Sequence, residues 1–256
     1  MSTTQLEGRV VLVTGAAGGI GAAVANEVAR QGADVALLDV NPDVAAVAER
    51  IRSLGVAGVA AVCDLRDEAS VRSAVEGVAD ELGGLDGVVN NAGVNAYGDA
   101  VAMTLEEWDD TFAIDLRGAW LVLKYALPHL VRRPSSSVVN ISSIHAKLTV
   151  PGMYPYAGAK AGLEGITRSL ALDYGPRNVR VNAVAPGFTR TRLVDEWLDQ
   201  QGDPDRARRE VLERTALGRM AEPEDIAAVV AFLLGEGARA ITGATVAADC
   251  GLGVRF

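Results

Sequence analysis

Residues 10 to 21 read VVLVTGAAGGIG, an apolar run followed at once by a loop rich in glycine. The run Val10 to Thr14 predicts a buried strand, and the glycines predict a tight turn into an amphipathic helix. Such a turn lets phosphate groups approach backbone N–H groups at the positive end of the helix. The stretch therefore predicts the start of a dinucleotide-binding fold, with cofactor contacts at Gly15, Gly19, Ile20 and Gly21.

Short β-branched runs alternate with helix-period segments along the rest of the chain. After Val10 to Thr14, the predicted strands are Asp34 to Val40, Val56 to Cys63, Leu85 to Asn90, Ser137 to Ser142, Val179 to Val184 and Thr245 to Asp249. This alternation is typical of βαβ units on a parallel sheet. No linker or repeat divides the chain, so we expect one α/β domain over 1–256, a Rossmann-type doubly wound sheet.

The segment Thr189 to Arg214 is the one long polar departure from this pattern. It follows a predicted strand and carries few core residues. We expect two short helices here, which either cover the site as a lid or lie on the surface without a role in binding.

Composition excludes several classes of function. The chain has 256 residues and a net charge of −9, which disfavours nucleic acid and anionic membranes as partners because both would repel it. Its longest apolar run, which includes Ala227 to Leu234, is too short to span a bilayer, and the start MSTTQLEGR is polar, so we expect a cytoplasmic protein. Two cysteines and two histidines are too few and too scattered for a zinc site, so no metal is expected.

Two aspartates bear on the cofactor. Asp39 ends the second predicted strand, where a carboxylate can accept both ribose hydroxyls and would repel a 2′-phosphate. No lysine or arginine lies in Ala16 to Gly21 or in Asp39 to Ala48 to hold that phosphate, so NAD is favoured over NADP. Asp64 follows the third strand and either bonds the adenine amino group or caps the next helix.

Tyr156 and Lys160 stand four residues apart in YAGAK, after Ser143. In a helix, side chains at this spacing share one face, so an ammonium lies beside a phenol. A free tyrosine ionises near pH ~10, and a neighbouring positive charge favours the phenolate. The two residues therefore suit acid/base chemistry. A tyrosine and a lysine at this spacing, taken alone, are also common on ordinary surface helices.

The motifs occur together and in order along the chain. They are TGAAGGIG at 14 to 21, Asp39, CDL at 63 to 65, NNAG at 90 to 93, NISS at 140 to 143, YAGAK at 156 to 160 and NAVAPGFTRT at 182 to 191. With them the chain resembles a classical short-chain dehydrogenase/reductase over essentially its whole length. The resemblance implies a seven-stranded doubly wound sheet, a homotetramer, and hydride transfer between nicotinamide and a small-molecule alcohol or carbonyl substrate.

The resemblance also implies roles for individual residues. Tyr156 corresponds to the proton donor and acceptor, Lys160 to the residue that holds the nicotinamide ribose and assists the tyrosine, and Ser143 to the residue that binds the substrate oxygen. The further cofactor contacts that it implies are Asp64, Leu65, Asn91, Gly93, Pro186, Thr189 and Thr191.

Asp115 departs from the family pattern, which usually has asparagine there. In the family this residue helps hold a water in a proton relay to the lysine, largely through its main-chain carbonyl. A backbone role would survive the change, which favours an intact relay. An ionised Asp115 side chain near Lys160 would instead weaken the pull of that lysine on the Tyr156 proton.

Residues bordering the catalytic trio are expected to line the substrate pocket. They are Asn95, His145, Lys147, Met153, Tyr154 and Arg192. Their polar members favour a sugar or polyol substrate, although His145 could equally face solvent. Two alternatives stay open: a carbonyl reductase of the 3-oxoacyl carrier protein reductase type, and a non-catalytic NAD-binding regulator, which would not need Ser143, Tyr156 and Lys160.

Overall fold

A computed structural model describes residues 5–254, and a seven-stranded parallel sheet forms its centre. Residues 1–4 and 255–256, which the predicted domain of 1–256 includes, lie outside the described residues. The strands run in the order β3-β2-β1-β4-β5-β6-β7, and every neighbouring pair is parallel. The prediction of a doubly wound parallel sheet is confirmed.

The strands agree with the predicted runs to within two residues at each end. They are β1 (Val10–Thr14), β2 (Asp34–Asp39), β3 (Gly58–Val62), β4 (Gly87–Asn90), β5 (Ser136–Ile141), β6 (Val179–Pro186) and β7 (Thr245–Ala248). The α-helices are α1 (Gly19–Arg30), α2 (Val44–Arg52), α3 (Glu68–Glu81), α4 (Leu105–Phe112), α5 (Ala119–Leu130), α6 (Tyr154–Tyr174), α7 (Arg192–Asp199), α8 (Pro204–Arg214) and α9 (Pro223–Leu234).

Helices cover both faces of the sheet, and each face has its own apolar core. On one face α1, α2 and α9 pack their buried aliphatic side chains against the strands. On the other face α3, α5 and part of α6 do the same. Strands buried on both faces are expected to read as continuous apolar runs, which explains why the runs were visible in the sequence.

The order of the strands reverses between β1 and β4, and this reversal places the site. In open α/β sheets, ligands bind in the crevice outside the carboxyl ends of the strands at such a point. Asn91 lies at this crevice, and its Nδ2 donates hydrogen bonds to the carbonyl oxygens of Thr14 and Gly15 at 2.9 and 3.1 Å. The end of β4 is thereby tied to the glycine loop after β1.

Between the fourth and fifth strands the sequence predicts one apolar helical face formed by Trp108, Phe112, Leu116, Trp120 and Leu123. The structure does not form it as one uniform helix. A π-helical stretch, Ala113–Gly118, joins α4 to α5 and adds a residue to the turn, so the buried face changes along the chain. Leu123 is buried as expected, whereas Trp120 is 46% exposed. The expected continuous stripe through Trp120 is therefore wrong.

The polar segment after β6 forms the two expected short helices, α7 and α8. They have a small core of their own, in which Leu198 and Val211 pack with Met220. Phe188 packs against Trp197 with the ring planes tilted by 31° and the centroids 5.6 Å apart, which ties α7 to the end of β6. Of the helices within residues 5–254, none combines the length and hydropathy needed to cross a membrane.

Candidate active site

A cavity of about 910 Å³ runs along the carboxyl ends of the strands. One end is the glycine loop after β1, and the other is lined by Ser143, Tyr156 and Lys160. Of the predicted cofactor contacts, the lining includes Gly15, Gly19, Ile20, Asp39, Asp64, Leu65, Asn91, Gly93, Tyr156, Lys160, Pro186, Thr189 and Thr191.

The glycine loop is shaped to receive a phosphate group. Gly15 and Gly19 adopt φ values of +64° and +54°, in the left-handed region that favours glycine. Among residues 5–254 no side chain caps the N-terminus of α1, so its first N–H groups stay available to a ligand. A Cβ at Gly18 would meet nothing within 4 Å. Free N–H groups beside open space at a helix N-terminus fit a pyrophosphate.

Gly21 was predicted to contact the cofactor, but it does not line the cavity. A Cβ at this position would clash with the carbonyl oxygen of Gly15 and would lie 2.5 Å from Asn91 Nδ2. The glycine is needed so that α1 can pack closely against the loop. It shapes the cofactor site without facing it.

Asp39 lies at the carboxyl end of β2 and faces the same cavity. Its Oδ2 accepts a hydrogen bond from the backbone N–H of Ala17 at 2.8 Å, and its Oδ1 accepts one from Asn41 at 2.9 Å. Each carboxylate oxygen keeps a further lone pair, so the group can still accept hydrogen bonds from a ribose. The two backbone contacts fix its orientation.

Asp64 lines the cavity and does not cap α3. Asp67 takes the capping role, since its side chain accepts a hydrogen bond from the N–H of Ala69. Asp64 instead pairs with Arg66, whose Nη2 lies 2.8 Å from Oδ2, and this hydrogen bond lowers the pKa of the Asp64 carboxyl. The alternative of a helix cap is therefore wrong.

Arg66 is a basic residue of the cavity that the sequence reasoning missed. The glycine loop and the residues directly after β2 carry no lysine or arginine that could hold a 2′-phosphate, whereas Arg66 follows β3 and lines the cavity. Its guanidinium is paired with Asp64 and lies 3.8 Å from Asp110. The two-residue spacing of Asp64 and Arg66 directly after β3 could have indicated this ion pair at the edge of the cofactor site.

Ser143, Tyr156 and Lys160 come from two neighbouring elements. Ser143 follows β5 and begins a short 3-10 turn, where its Oγ accepts a hydrogen bond from the N–H of His145 at 3.2 Å. Tyr156 and Lys160 lie in the first turns of α6, as the four-residue spacing predicts. The Nζ of Lys160 lies 5.5 Å from the centre of the Tyr156 ring. Phenol and ammonium therefore share one end of the cavity.

Buried polar contacts hold α6 against the sheet and so fix these two side chains. Asn90 Nδ2 donates to Asn140 Oδ1 at 2.9 Å, and Asn140 Nδ2 donates to Thr167 Oγ1 at 2.9 Å. Beside them, Ser142 Oγ donates to Glu164 Oε1 at 3.2 Å. Although Asn90 Oδ1 accepts no hydrogen bond from the described residues, these connected donors and acceptors tie α6 to the ends of β4 and β5.

Lys160 is 3% exposed and has two polar neighbours besides Tyr156. Its Nζ donates to the carbonyl oxygen of Ile141 at 3.2 Å and lies 2.9 Å from Asp115 Oδ1. Burial alone would lower the pKa of Lys160, but the charge of Asp115 and the nearby Tyr156 outweigh burial and raise it. The ammonium form is therefore favoured.

Asp115 is buried behind the cavity, and its side chain contacts Lys160. The favoured expectation was an intact relay through the main-chain carbonyl of Asp115. The structure instead places Oδ1 in an ion pair with the ammonium, and Oδ2 accepts a hydrogen bond from the N–H of Val94 at 3.2 Å.

The predicted substrate residues divide into two groups. Asn95, His145 and Arg192 line the cavity, although Arg192 lies at the rim with its side chain 90% exposed. Tyr154 is a correction: it lies outside the lining, its hydroxyl donates to Met103 Sδ at 2.9 Å, and its ring stacks on Trp108. Lys147 is exposed and also lies outside the lining.

His145 faces the cavity beside Tyr156, with ring centroids 6.0 Å apart in an edge-on arrangement. Its Nδ1 lies 3.2 Å from Thr149 Oγ1. Burial lowers the pKa of His145, so the imidazole is neutral at neutral pH. A neutral imidazole can donate a hydrogen bond to a substrate hydroxyl or accept one from it.

Residues from distant segments complete this end of the cavity. Tyr97 comes from the loop after β4, and Phe188 and Trp197 come from the end of β6 and from α7. The sequence pattern gave no signal for them, because loop conformation brings them to the site. Thr191 lines the cavity too, and its Cγ2 would lie 3.5 Å from a Cβ at Gly19, so the start of α7 approaches the glycine loop.

Comparisons with known proteins find relatives that match nearly the whole chain. A family model described as enoyl-(acyl carrier protein) reductase matches residues 15–253. The 3-oxoacyl-acyl-carrier-protein reductase FabG of Pseudomonas aeruginosa is 38% identical over 249 residues, which cover 97% of this chain and 98% of that protein.

Solved structures are similar in fold over nearly the whole chain. The aldohexose dehydrogenase of Thermoplasma acidophilum is 31% identical with a TM-score of 0.90, and the match covers 99% of this chain and 97% of that one. A protein of Beutenbergia cavernae, provisionally assigned as an NAD(P)-dependent gluconate 5-dehydrogenase with NADP bound at low occupancy, is 31% identical with a TM-score of 0.92, covering 99% and 100%.

Proposed function

Because the chain belongs to the short-chain dehydrogenase/reductase family, we propose that this oxidoreductase uses NAD to interconvert the alcohol and carbonyl forms of a sugar or polyol. The observation that carries the proposal is the single cavity that joins an open glycine loop and Asp39 to Ser143, Tyr156 and Lys160. Such a cavity brings a dinucleotide and a proton-transfer group together.

The residues at the inner end of the cavity divide the chemistry between them. A nicotinamide cofactor held along this cavity would supply the hydride transfer to or from the substrate carbon. Ser143 holds the substrate oxygen by a hydrogen bond, and the Tyr156 oxygen takes the hydroxyl proton, so that a carbonyl forms. Lys160 favours the phenolate of Tyr156 through its charge. In carbonyl reduction Tyr156 returns the proton.

The preference for NAD rests on charge. The Asp39 carboxylate would face a 2′-phosphate without a partner, while it can accept hydrogen bonds from the ribose hydroxyls of NAD. Arg66, a basic residue of the lining, is already paired with Asp64 and lies near Asp110. These pairs leave less positive charge for an extra phosphate.

The substrate class rests on the polar groups beside Tyr156. Asn95, His145 and Tyr97 line the cavity and offer an amide, an imidazole and a phenol to further hydroxyl groups. The likeness to the aldohexose dehydrogenase supports the same class. We also propose that α7 and α8 act as a lid, since Arg192, Leu193 and Trp197 line the cavity from α7.

A second candidate is a carbonyl reductase of the 3-oxoacyl carrier protein type. The identity of 38% to FabG of Pseudomonas aeruginosa favours it. The acidic character of this chain opposes it, because an acidic carrier protein would meet a net charge of −9.

One panel of assays separates the candidates. Sugars, polyols and cyclic alcohols are offered with NAD or NADP, and 3-oxoacyl thioesters with NADH or NADPH, while NADH absorbance is followed. We expect NAD-dependent oxidation of a polyhydroxylated alcohol. Turnover restricted to 3-oxoacyl thioesters with NADPH would select the second candidate, and binding of NADH without any turnover would indicate a regulator.

The family resemblance leads us to propose a homotetramer. Light scattering of the full-length protein measures its mass directly. A monomer at micromolar concentration would contradict this part of the proposal.

A further inference from the structure

Asp115 and Lys160 form a buried ion pair directly behind Tyr156. Their exposed fractions are 1% and 3%, and Oδ1 lies 2.9 Å from Nζ. Charges that are buried to this extent interact strongly because little water screens them. The charges of this pair therefore affect neighbouring groups strongly, whereas exposed ion pairs such as that between Arg192 and Glu196 have little effect.

The backbone is arranged to place this carboxylate. Asp115 lies within the π-helical stretch Ala113–Gly118, a distortion that often occurs at functional sites. Gly93 leaves room for the pair, since a Cβ there would lie 2.6 Å from Asp115 Oδ1 and 3.0 Å from Lys160 Nζ. The loop after β4 is held against the pair by the hydrogen bond from Val94 N–H to Oδ2.

The two carboxylate oxygens have different surroundings. Oδ2 accepts the hydrogen bond from Val94, whereas Oδ1 accepts none of ordinary geometry from the described residues and faces the ammonium as an ionic partner. The uncharged asparagine side chain has the same shape and could still accept the Val94 hydrogen bond. The contribution peculiar to aspartate is its negative charge.

That charge acts on Tyr156 through Lys160. An isolated ammonium beside the phenol would stabilise the phenolate, and a carboxylate on the far side of the ammonium offsets this effect. We propose that Asp115 is a positioning residue whose carboxylate offsets the charge of the Lys160 ammonium and so shifts the working range of Tyr156 to more alkaline pH. The inference rests on the proposed role of Tyr156 as the proton donor and acceptor.

The other groups facing Tyr156 do not replace this effect. His145 from the turn after β5 is neutral because burial lowers its pKa. Tyr97 from the loop after β4 also lies nearby. Its pKa is raised mainly by burial and to a smaller extent by the nearby Tyr156, so Tyr97 is uncharged as well.

Other carboxylates of this region lie on α4 and within α6 itself. The acidic side chains of α4 are exposed, and this helix meets α6 through Phe112 and Trp108. Glu164 is buried in α6 one turn beyond Lys160, where it accepts the hydrogen bond from Ser142. Glu164 thus provides a matched control: a buried carboxylate of the same region whose contact is Ser142.

The test measures the phenolate of Tyr156 in the full-length protein without cofactor or substrate. The change in tyrosinate absorbance with pH is recorded for the protein and for Asp115→Asn, and the Tyr156→Phe version of each is subtracted to isolate Tyr156. We expect Asp115→Asn to lower the titration midpoint by about one pH unit, because the ammonium is no longer offset. The Glu164→Gln protein is expected to shift by less than about a third of that amount.

An unchanged or higher midpoint in Asp115→Asn would overturn the proposal, as would an equal shift in Glu164→Gln. Asp115→Ser removes the same charge with less bulk and provides a second reading if the asparagine variant folds poorly. If neither variant folds, the carboxylate is a structural requirement and the proposal is wrong. A shifted midpoint in a protein that oxidises no alcohol would leave this inference standing and remove only the proposed function.

Discussion

The carboxylate of Asp39 accepts a hydrogen bond from the backbone N–H of Ala17, which joins the end of β2 to the glycine loop over 2.8 Å. The loop conformation and the ribose-binding group are therefore coupled. A change at Asp39 affects both the charge that discriminates between the cofactors and the shape of the loop that receives the pyrophosphate.

Asp39→Ala is expected to reduce the preference for NADH over NADPH, mainly by lowering the affinity for NADH. Loss of charge-assisted hydrogen bonds of about 1.5 to 3 kcal/mol corresponds to roughly 10- to 100-fold in affinity. Dissociation constants from the quenching of protein fluorescence measure the effect. Equal affinity of the unaltered protein for both cofactors would contradict the assignment.

Asp43→Ala is the matched control for this substitution. Asp43 also lines the cavity, but it is exposed and its side chain makes no cap hydrogen bond at α2. Its removal should change neither affinity by more than about twofold, since it takes away a solvated charge only. A change as large as that in Asp39→Ala would show that general charge, and not the position of Asp39, sets the preference.

Tyr156→Phe is expected to abolish turnover and to leave NADH binding nearly intact, because only the proton transfer is lost. General acid/base groups are typically worth 10² to 10⁴ in rate, so the residual activity should be below about a hundredth. Steady-state rates together with NADH titrations check both parts. Residual activity above about a tenth would show that another group moves the proton.

Lys160→Ala should instead reduce both the rate and the affinity for NADH. The ammonium lies close to Tyr156 and lines the cavity, so its loss affects the phenol and the cofactor together. A variant that binds NADH as tightly as the unaltered protein would confine Lys160 to an effect on Tyr156.

The parts of the molecule that follow from local pattern could be predicted from the sequence. The strand Val10–Thr14 and the spacing of Tyr156 and Lys160 depend on periodicity and on contacts within one element. The order of the motifs then gave the topology. These features are local in the chain, so no knowledge of loop conformation was needed.

The errors came from contacts between distant segments. Tyr154 was expected in the pocket because it precedes Tyr156, yet packing against Trp108 and Met103 turns its side chain away. The π-helical stretch before α5 has no clear periodic signature, and it decides where Asp115 points. The contact between Asp115 and Lys160 joins residues 45 positions apart, a pairing that one sequence leaves open.

Two glycines of the first loop are expected to respond differently to alanine. In Gly18→Ala the new Cβ meets nothing within 4 Å, so stability should change little, while the methyl group enters the space proposed for phosphate and weakens NADH binding by about tenfold or more. In Gly21→Ala the Cβ clashes with the Gly15 carbonyl oxygen, so the melting temperature should fall as well.

Thermal unfolding without cofactor, followed by NADH titration, separates the two glycine variants. If Gly18→Ala binds NADH normally, the open space at the loop does not hold the pyrophosphate. If Gly21→Ala keeps the melting temperature of the unaltered protein, close packing of α1 on the loop is not what requires glycine there.

The ion pair behind Tyr156 should also be visible in stability. Lys160→Met removes the ammonium and leaves the Asp115 carboxylate buried without its partner, and removal of one partner from such a pair typically costs about 3 to 5 kcal/mol. The double variant Lys160→Met with Asp115→Asn carries no unpaired charge and keeps an acceptor for Val94 N–H, so most of the loss should be recovered. Because protonation neutralises an unpaired carboxylate, the deficit of the single variant should also shrink as the pH falls. Urea unfolding at neutral and mildly acidic pH measures both effects, and a double variant no more stable than Lys160→Met would show that the ammonium stabilises the fold through the Ile141 carbonyl and not through Asp115.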